Sequence, residues 1–330
     1  MLPVLPAAAT LAASAGGAAF LERRARAREA RAEAEHPPEG AIVEVTLDGR
    51  AVPVHAVVRG RGPDLVMIHG ASGNLRDMTF SLLPRLARRY RCIALDRPGM
   101  GYTGRVRPEY DDALSTRAET PTEQARLLRA AATALGAARP LVLGHSFGGT
   151  IALAWAVDAP DAVAGLIPVA AASNRWEGGL GALYALNSSA LGGAVAVPAL
   201  TAFVSDAKLR EVTASVFAPD PMPPGYFEHV GAALTLRRRS MRANARQVNP
   251  LLPHVLEMEA KYPRLSMPIE WVHGARDRIC PPEIHPAAFA AAVPHARLTM
   301  LGGVAHMPHH TAPEAVEAAV DRAAARAGLA

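Results

Sequence analysis

The chain has 330 residues, half of them apolar, which is enough for a sizeable core and excludes a disordered protein. Its net charge of +5 is modest and aromatic residues make up only 5%, so the interleaved bases and rings that nucleic acid binding requires are missing, and nucleic acid is excluded as a partner. Cys92 and Cys280 are the only cysteines and stand far apart, which excludes a disulfide scaffold and a cysteine-rich metal site.

Residues 1–21, MLPVLPAAATLAASAGGAAFL, carry no charged side chain and run directly into ERRARAREAR. The length suits a single membrane-crossing helix, and arginines on its carboxyl side would stay cytoplasmic and hold the rest of the chain there. A cleaved signal peptide fits less well, because no basic region precedes the apolar run, although ASA at 13–15 resembles a cleavage site. Alanine, glycine and two prolines weaken the apolar character, so a soluble extension stays open as a third reading. Residues 22–40 read as a charged juxtamembrane helix and linker ended by HPPEG.

From Ala41 the pattern is strand, Asp48-Gly49 turn, strand. After Gly60 short apolar runs alternate with helical stretches: LVMIHG at 65–70, RCIALD at 91–96, LVLGHS at 141–146, AGLIPVA at 164–170, IEWVHG at 269–274 and ARLTML at 296–301. Continuous apolar strands separated by helices predict a mostly parallel, doubly wound α/β sheet covered on both faces. The core is expected over 41–172 and 267–330. Residues 173–266 hold no clear strand and read as a helical lid over the carboxyl ends of the strands.

The run LVLGHSFGGTIALAWA places Ser146 between Gly144 and Gly148, where an apolar strand turns into a helix. Such a corner forces its central residue into a strained conformation and lifts the hydroxyl clear of the sheet. Ser146 is therefore expected to be a nucleophile. A serine hydroxyl needs a base, and the base needs an orienting carboxylate, both at the ends of later strands. Asp277 follows the strand ending at Gly274, and His306 follows the strand ending in ARLTML; the 29 positions between them accommodate one helix and one strand. The tetrahedral oxyanion would be met by the backbone amide of Phe147 and one from HGASG, with Ala71 the first candidate and Ser72 its neighbour.

His309 and His310, near His306, suggest metal ligands, but no carboxylate or cysteine accompanies them at ligand spacing, so no metal is expected and they read as the start of the last helix. His69 and His145 read as packing or hydrogen-bonding residues of their turns. Five arginines in LRRRSMRANAR, 236–246, read as the solvated face of a lid helix, or alternatively as a contact for anionic lipid or an acidic substrate. Trp176 and Met222 are candidate substrate-binding residues of the acyl pocket, with Ser72 beside them.

HGASG, DRPGMG, GHSFGG, HGARD and GVAHMP stand in the order found in α/β-hydrolase fold enzymes, which the chain resembles from Ala41 to its end. Serine in place of an aspartate nucleophile is similar to the esterase and lipase-like branch. The resemblance implies nucleophile Ser146, acid Asp277, base His306 and oxyanion donors Ala71 and Phe147, and it extends to no part of the apolar N-terminus. The expected function is that of a membrane-anchored serine hydrolase cleaving a small-molecule carboxylic ester through an acyl-enzyme, without a cofactor. Two further readings remain: carbon–carbon bond hydrolysis or perhydrolysis and haloperoxidation on the same three residues, and a non-catalytic accessory protein at a membrane.

Overall fold

The computed structural model describes residues 5–112, 114–179 and 182–329, with residues 5–15 in backbone only. Eight strands form one sheet in the order β1-β2-β4-β3-β5-β6-β7-β8. They are β1 (Ala41–Leu47), β2 (Arg50–Arg59), β3 (Asp64–Ile68), β4 (Arg91–Leu95), β5 (Leu141–His145), β6 (Gly165–Val169), β7 (Glu270–Gly274) and β8 (Arg297–Leu301). The β1-β2 hairpin turns at Asp48-Gly49, and β2 meets β4 antiparallel; every later pairing is parallel.

Alternation along the central strands explains why both faces are covered. Val66, Ile68, Ile93, Leu95 and Val142 point into a core built with helices Pro121–Ala134 and Phe147–Asp158. Leu65, Met67, Cys92, Ala94 and Leu143 point the other way, into a second core with Leu82–Leu86 and Pro313–Arg326. A strand buried on both sides reads as an unbroken apolar run because its period-2 side chains have no solvent face.

Between β6 and β7 a succession of helices covers the strand ends, among them Ala182–Ser188, Val197–Phe203, Asp206–Ser215, Tyr226–Val230 and Arg238–Val248. Leu251, Val255, Met258 and Tyr262, within the expected lid, instead pack into the first core beside Phe147–Asp158.

The N-terminus is one helix, Leu5–Glu35, with no break where the apolar stretch meets the charged one. Residues 1–4 of the expected anchor lie outside the described residues. Among those described, no single helix is long and apolar enough to cross a membrane; the apolar pair Ala182–Ser188 and Gly192–Phe203 is bent by 91°. The second half of the N-terminal helix lies on the cap, burying Ala25 and Ala32, and Arg24 donates to the Ala202 carbonyl at 2.8 Å.

This packing corrects the reading of the arginine run as a free solvated or lipid-facing surface. Arg238 donates through Nε and Nη2 to Glu29 at 2.9 and 2.7 Å and also pairs with Glu22, while Arg237 meets Glu33 at 2.9 Å. Arg239 pairs with Asp111. Arg242 and Arg246 are buried and donate to main-chain carbonyls of Asn187, Ser115, Tyr110 and Asp112. The partners lie on sequence-remote elements, so composition alone could not distinguish this from a solvated face.

Candidate active site

β5 ends at His145 and the next helix begins at Phe147, which leaves Ser146 alone to turn the chain. Its φ of 52° and ψ of −120° are strained for a residue with a side chain. The corner closes only because its neighbours lack one. A Cβ on Gly144 would lie 2.2 Å from the Gly148 carbonyl oxygen, and one on Gly148 would lie 2.3 Å from that of Ile68. The Ser146 amide donates to the Val169 carbonyl at 2.9 Å, fixing the corner to β6.

The structure brings Ser146, His306 and Asp277 into one chain of hydrogen bonds. The His306 Nε2 lies 3.0 Å from Ser146 Oγ, and its Nδ1 lies 2.7 Å from Asp277 Oδ2. A carboxylate at Nδ1 places the proton there, which leaves Nε2 to accept from the serine hydroxyl. Asp277 sits in the turn after β7 and accepts the amides of Ile279 and Cys280 on Oδ1, at 2.8 and 2.9 Å. The loops bearing Asp277 and His306 are joined by Arg276 N–H donating to the Val304 carbonyl at 2.9 Å.

Burial alone would raise the Asp277 carboxyl, but hydrogen bonds from His273 and His306, the His306 charge and the Cys280 amide outweigh it and hold the group well below the usual carboxylate range. His273 was not singled out from the sequence. Its Nδ1 accepts from Trp271 Nε1–H, so Nε2 carries the proton, which goes to the Cys280 carbonyl at 2.8 Å with Asp277 Oδ2 at 3.3 Å. The signal was present as the HGARD pattern, four residues before the acid, but its role depends on the turn that folds it back.

The expected oxyanion donors flank the serine. Phe147 is the first residue of its helix, where an N–H has no intrahelical partner. Ala71 lines the cavity beside Ser146, and a Cβ on the preceding Gly70 would stand 3.3 Å from Ser146 Cβ. Neither amide donates a hydrogen bond among the described residues. Ser72 also lines the cavity, but its amide donates to Asn244 Oδ1 at 2.8 Å and its hydroxyl accepts from Asn244 Nδ2 at 2.9 Å. Of the two candidates in this loop, that engagement occupies Ser72 and leaves the Ala71 amide available.

The serine opens on a cavity of about 560 Å³ roofed by the cap. Its walls are chiefly apolar, with Leu200, Leu209, Val212, Phe217 and Val230 facing His306 and Met307. Trp176 and Met222 do not line it. Trp176 packs on the first core with its ring 6.0 Å from His285, and Met222 supports Phe217 and Tyr226 from behind.

Sequence reasoning found no carboxylate to accompany His309 and His310; Asp77, more than two hundred positions away, supplies one. Its Oδ1 accepts from His310 Nε2 and Tyr226 Oη, each at 2.8 Å, and its Oδ2 from His309 Nε2 at 3.2 Å. The three residues are buried and their ligand atoms lie within 4.8 Å of one another, a donor set that can hold a cation. In this structure they bond directly to each other, and the group fastens the loop after β8 to the cap.

Residues 65–319 match the profile of the Alpha/beta hydrolase family. A pimeloyl-[acyl-carrier protein] methyl ester esterase of Xanthomonas axonopodis is 28% identical over 295 residues, spanning 82% of this chain and 98% of that protein. Polyketide synthase ThaQ of Burkholderia thailandensis is 29% identical over 329 residues and 94% of this chain, which spans only 14% of the length of that protein. A thermophilic esterase from Thermogutta terrifontis superposes with a TM-score of 0.69 at 19% identity, over 87% of this chain and 99% of that one.

Proposed function

We propose that this chain, which belongs to the Alpha/beta hydrolase family, is a serine hydrolase cleaving carboxylic esters with an apolar acyl group. One observation carries the reading: an unbroken relay from Ser146 through His306 to Asp277 stands beside the Ala71 and Phe147 amides, which donate to nothing among the described residues, at the wall of an apolar cavity. In the reaction, Ser146 Oγ attacks the ester carbonyl carbon while His306 Nε2 takes the hydroxyl proton. The resulting oxyanion is held by the N–H groups of Ala71 and Phe147, the latter at a helix N-terminus whose dipole favours negative charge. Collapse breaks the bond to the alcohol, which leaves with the proton from His306, and the acyl group stays on Ser146. Water then attacks the acyl carbonyl as it gives a proton to His306, and collapse breaks the bond to Ser146 Oγ, which takes that proton back from His306 as the acid leaves.

The apolar walls favour the acyl side, because each buried methylene contributes about 0.8 kcal/mol of binding. Membrane association belongs to the same reading. It is supported by the uncharged residues 1–21 and by the exposed apolar side chains Phe20, Leu183, Leu191 and Phe203, and liposome flotation of the full chain tests it. The catalytic reading is tested by a fluorophosphonate probe and p-nitrophenyl esters. Wild type is expected to label at Ser146, and Ser146→Ala and His306→Ala to lose activity by about 10⁴-fold or more while remaining folded. Full turnover by folded Ser146→Ala would remove the reading.

A further inference from the structure

Arg97, from the DRPGMG loop, is completely buried. Its Nη1 donates to Gln124 Oε1 at 3.2 Å and Gln247 Oε1 at 3.0 Å, and its Nη2 to the Gly70 carbonyl at 3.2 Å, with Asn244 Oδ1 at 3.5 Å. The guanidinium also lies over the Phe147 ring, 4.6 Å from its centroid. Among the described residues no carboxylate forms an ion pair with it: Asp96 accepts from His55 and the amides of Leu75 and Tyr102, and Glu119 is engaged by Arg105. Burial lowers the Arg97 pKa to about 9, against the pull of Tyr184, Asp96 and Glu119, so the group stays charged at neutral pH.

Keeping a cation in the interior without a counter-ion is costly, and a neutral donor would satisfy the same oxygens for less. The charge therefore needs its own explanation. The Gly70 carbonyl belongs to the same peptide unit as the Ala71 N–H, and Phe147 is the residue that carries the other expected oxyanion donor. We infer that Arg97 is a positioning residue of the oxyanion hole, fixing and polarising the Gly70–Ala71 peptide so that the Ala71 N–H becomes a stronger donor. The inference rests on the ester-hydrolase reading above.

A positive donor on a peptide oxygen draws electron density from the nitrogen, and hydrogen bonds through one peptide unit strengthen each other in this way. His69 works in the same direction. Its Nε2 accepts the Arg97 amide at 3.1 Å, so Nδ1 carries the proton and donates to the same Gly70 oxygen at 2.9 Å. The cap helix Arg238–Val248 holds the arrangement from above, since Asn244 accepts the Ser72 amide and Gln247 accepts from Arg97. With little water between, the charge acts most strongly when the substrate oxygen becomes an anion. Its contribution therefore belongs to kcat rather than KM.

The test is Arg97→Met and Arg97→Lys, with kcat and KM on p-nitrophenyl butyrate beside the inhibition constant of a trifluoromethyl ketone, whose hemiketal with Ser146 carries an oxyanion. Arg97→Met is expected to lose about 10- to 100-fold in kcat, less than or equal to removal of an oxyanion donor itself, with KM nearly constant and ketone affinity falling by the same factor. Arg97→Lys is expected to fall between Arg97→Met and wild type. A purely structural role would lower thermal stability without this matched loss. Should Arg97→Met not fold, Gln124→Glu sets a carboxylate where the amide oxygen now stands, 3.2 Å from Nη1, and is expected to weaken kcat and ketone affinity together. Values within about twofold of wild type in folded Arg97→Met, or in folded Gln124→Glu where the first is lost, would overturn the inference. If wild type hydrolyses esters and Ser146→Ala does not, that failure concerns Arg97 alone; if wild type is inert, both readings fall.

Discussion

His145 donates its Nε2–H to the main-chain carbonyl of His306 across 2.9 Å, linking the residue before Ser146 to the imidazole-bearing residue that meets it. Burial, then the neighbouring His309 and His306, keep the His145 pKa well below the ordinary imidazole value, so it acts as a neutral donor. Phenylalanine would keep the ring and its packing but leave a buried carbonyl unsatisfied, a cost of about 1–3 kcal/mol. His145→Phe is thus expected to unfold at lower temperature and to lose about tenfold in kcat through a loosened base, with KM little changed. Steady-state kinetics beside a thermal melt check it, and an unaltered kcat would show that His306 is held by Asp277 alone.

The buried histidines set a pH dependence of stability with a definite sign. His69, His285 and His309 are each pushed down to about 4, first by burial and then by Arg97, His273 and His310 respectively. In the unfolded chain each would titrate near its ordinary 6.5, so between 6.5 and 4 the unfolded state binds protons that the folded state refuses. Stability is complete above that window and is lost as pH falls through it, at up to about 1.4 kcal/mol per pH unit for each histidine. The depressed carboxylates Asp77 and Asp277 extend the loss below the ordinary carboxylate range. Calorimetry from about pH 7.5 to 5 should record a falling Tm, with a shallower fall for His285→Asn. A Tm that rises on acidification would contradict the burial of these rings as neutral species.

Much of the geometry of the candidate site was legible because its parts are local. The spacing of Gly144, Ser146 and Gly148 specifies its own corner after β5, and Asp277 follows the fully buried strand β7; His306 follows β8, an edge strand with exposed and half-buried residues whose apolar run was still enough to mark it as a strand. The cavity was not legible in the same way. Its walls come from cap helices whose relative placement no short pattern encodes, so Trp176 and Met222, read as lining on residue type, turned out to pack behind it. The charged partners followed the same rule: Asp77 meets His309, and Glu29 meets Arg238, across more than two hundred positions of chain.

The cavity wall makes chain length the property to vary. Leu200 and Leu209 come from different cap helices and both face the space above Ser146. Leu200→Trp fills part of it, so long acyl esters should lose more kcat/KM than acetate or butyrate esters. In wild type each methylene added should raise kcat/KM by up to about fourfold until the cavity is full, following about 0.8 kcal/mol per buried CH₂. A chain-length series of p-nitrophenyl esters reads both. Equal losses at every length in Leu200→Trp would mean that the acyl chain lies elsewhere.

The contact between the N-terminal helix and the cap is electrostatic enough to be broken by charge. Glu29 accepts three donations from Arg238, through its amide, Nε and Nη2, at 2.8, 2.9 and 2.7 Å, while Glu33 meets Arg237 nearby. Both partners of the Glu29–Arg238 pair are partly shielded from water, which places it toward the upper end of surface pairs, about 1 kcal/mol. Glu29→Lys sets two cations against each other, and the helix should then lift from Ala202 and expose its arginines to trypsin. Adding Arg238→Glu reverses the pair and should restore protection in part, which a change in helix propensity could not do. Salt near 1 M should speed cleavage of wild type toward the Glu29→Lys rate, because the Debye length shrinks to about 3 Å. If trypsin cuts wild type and Glu29→Lys at one rate, the burial of Ala25 and Ala32 and the remaining polar contacts, such as Arg24 to the Ala202 carbonyl, hold the helix down without the Glu29–Arg238 pair.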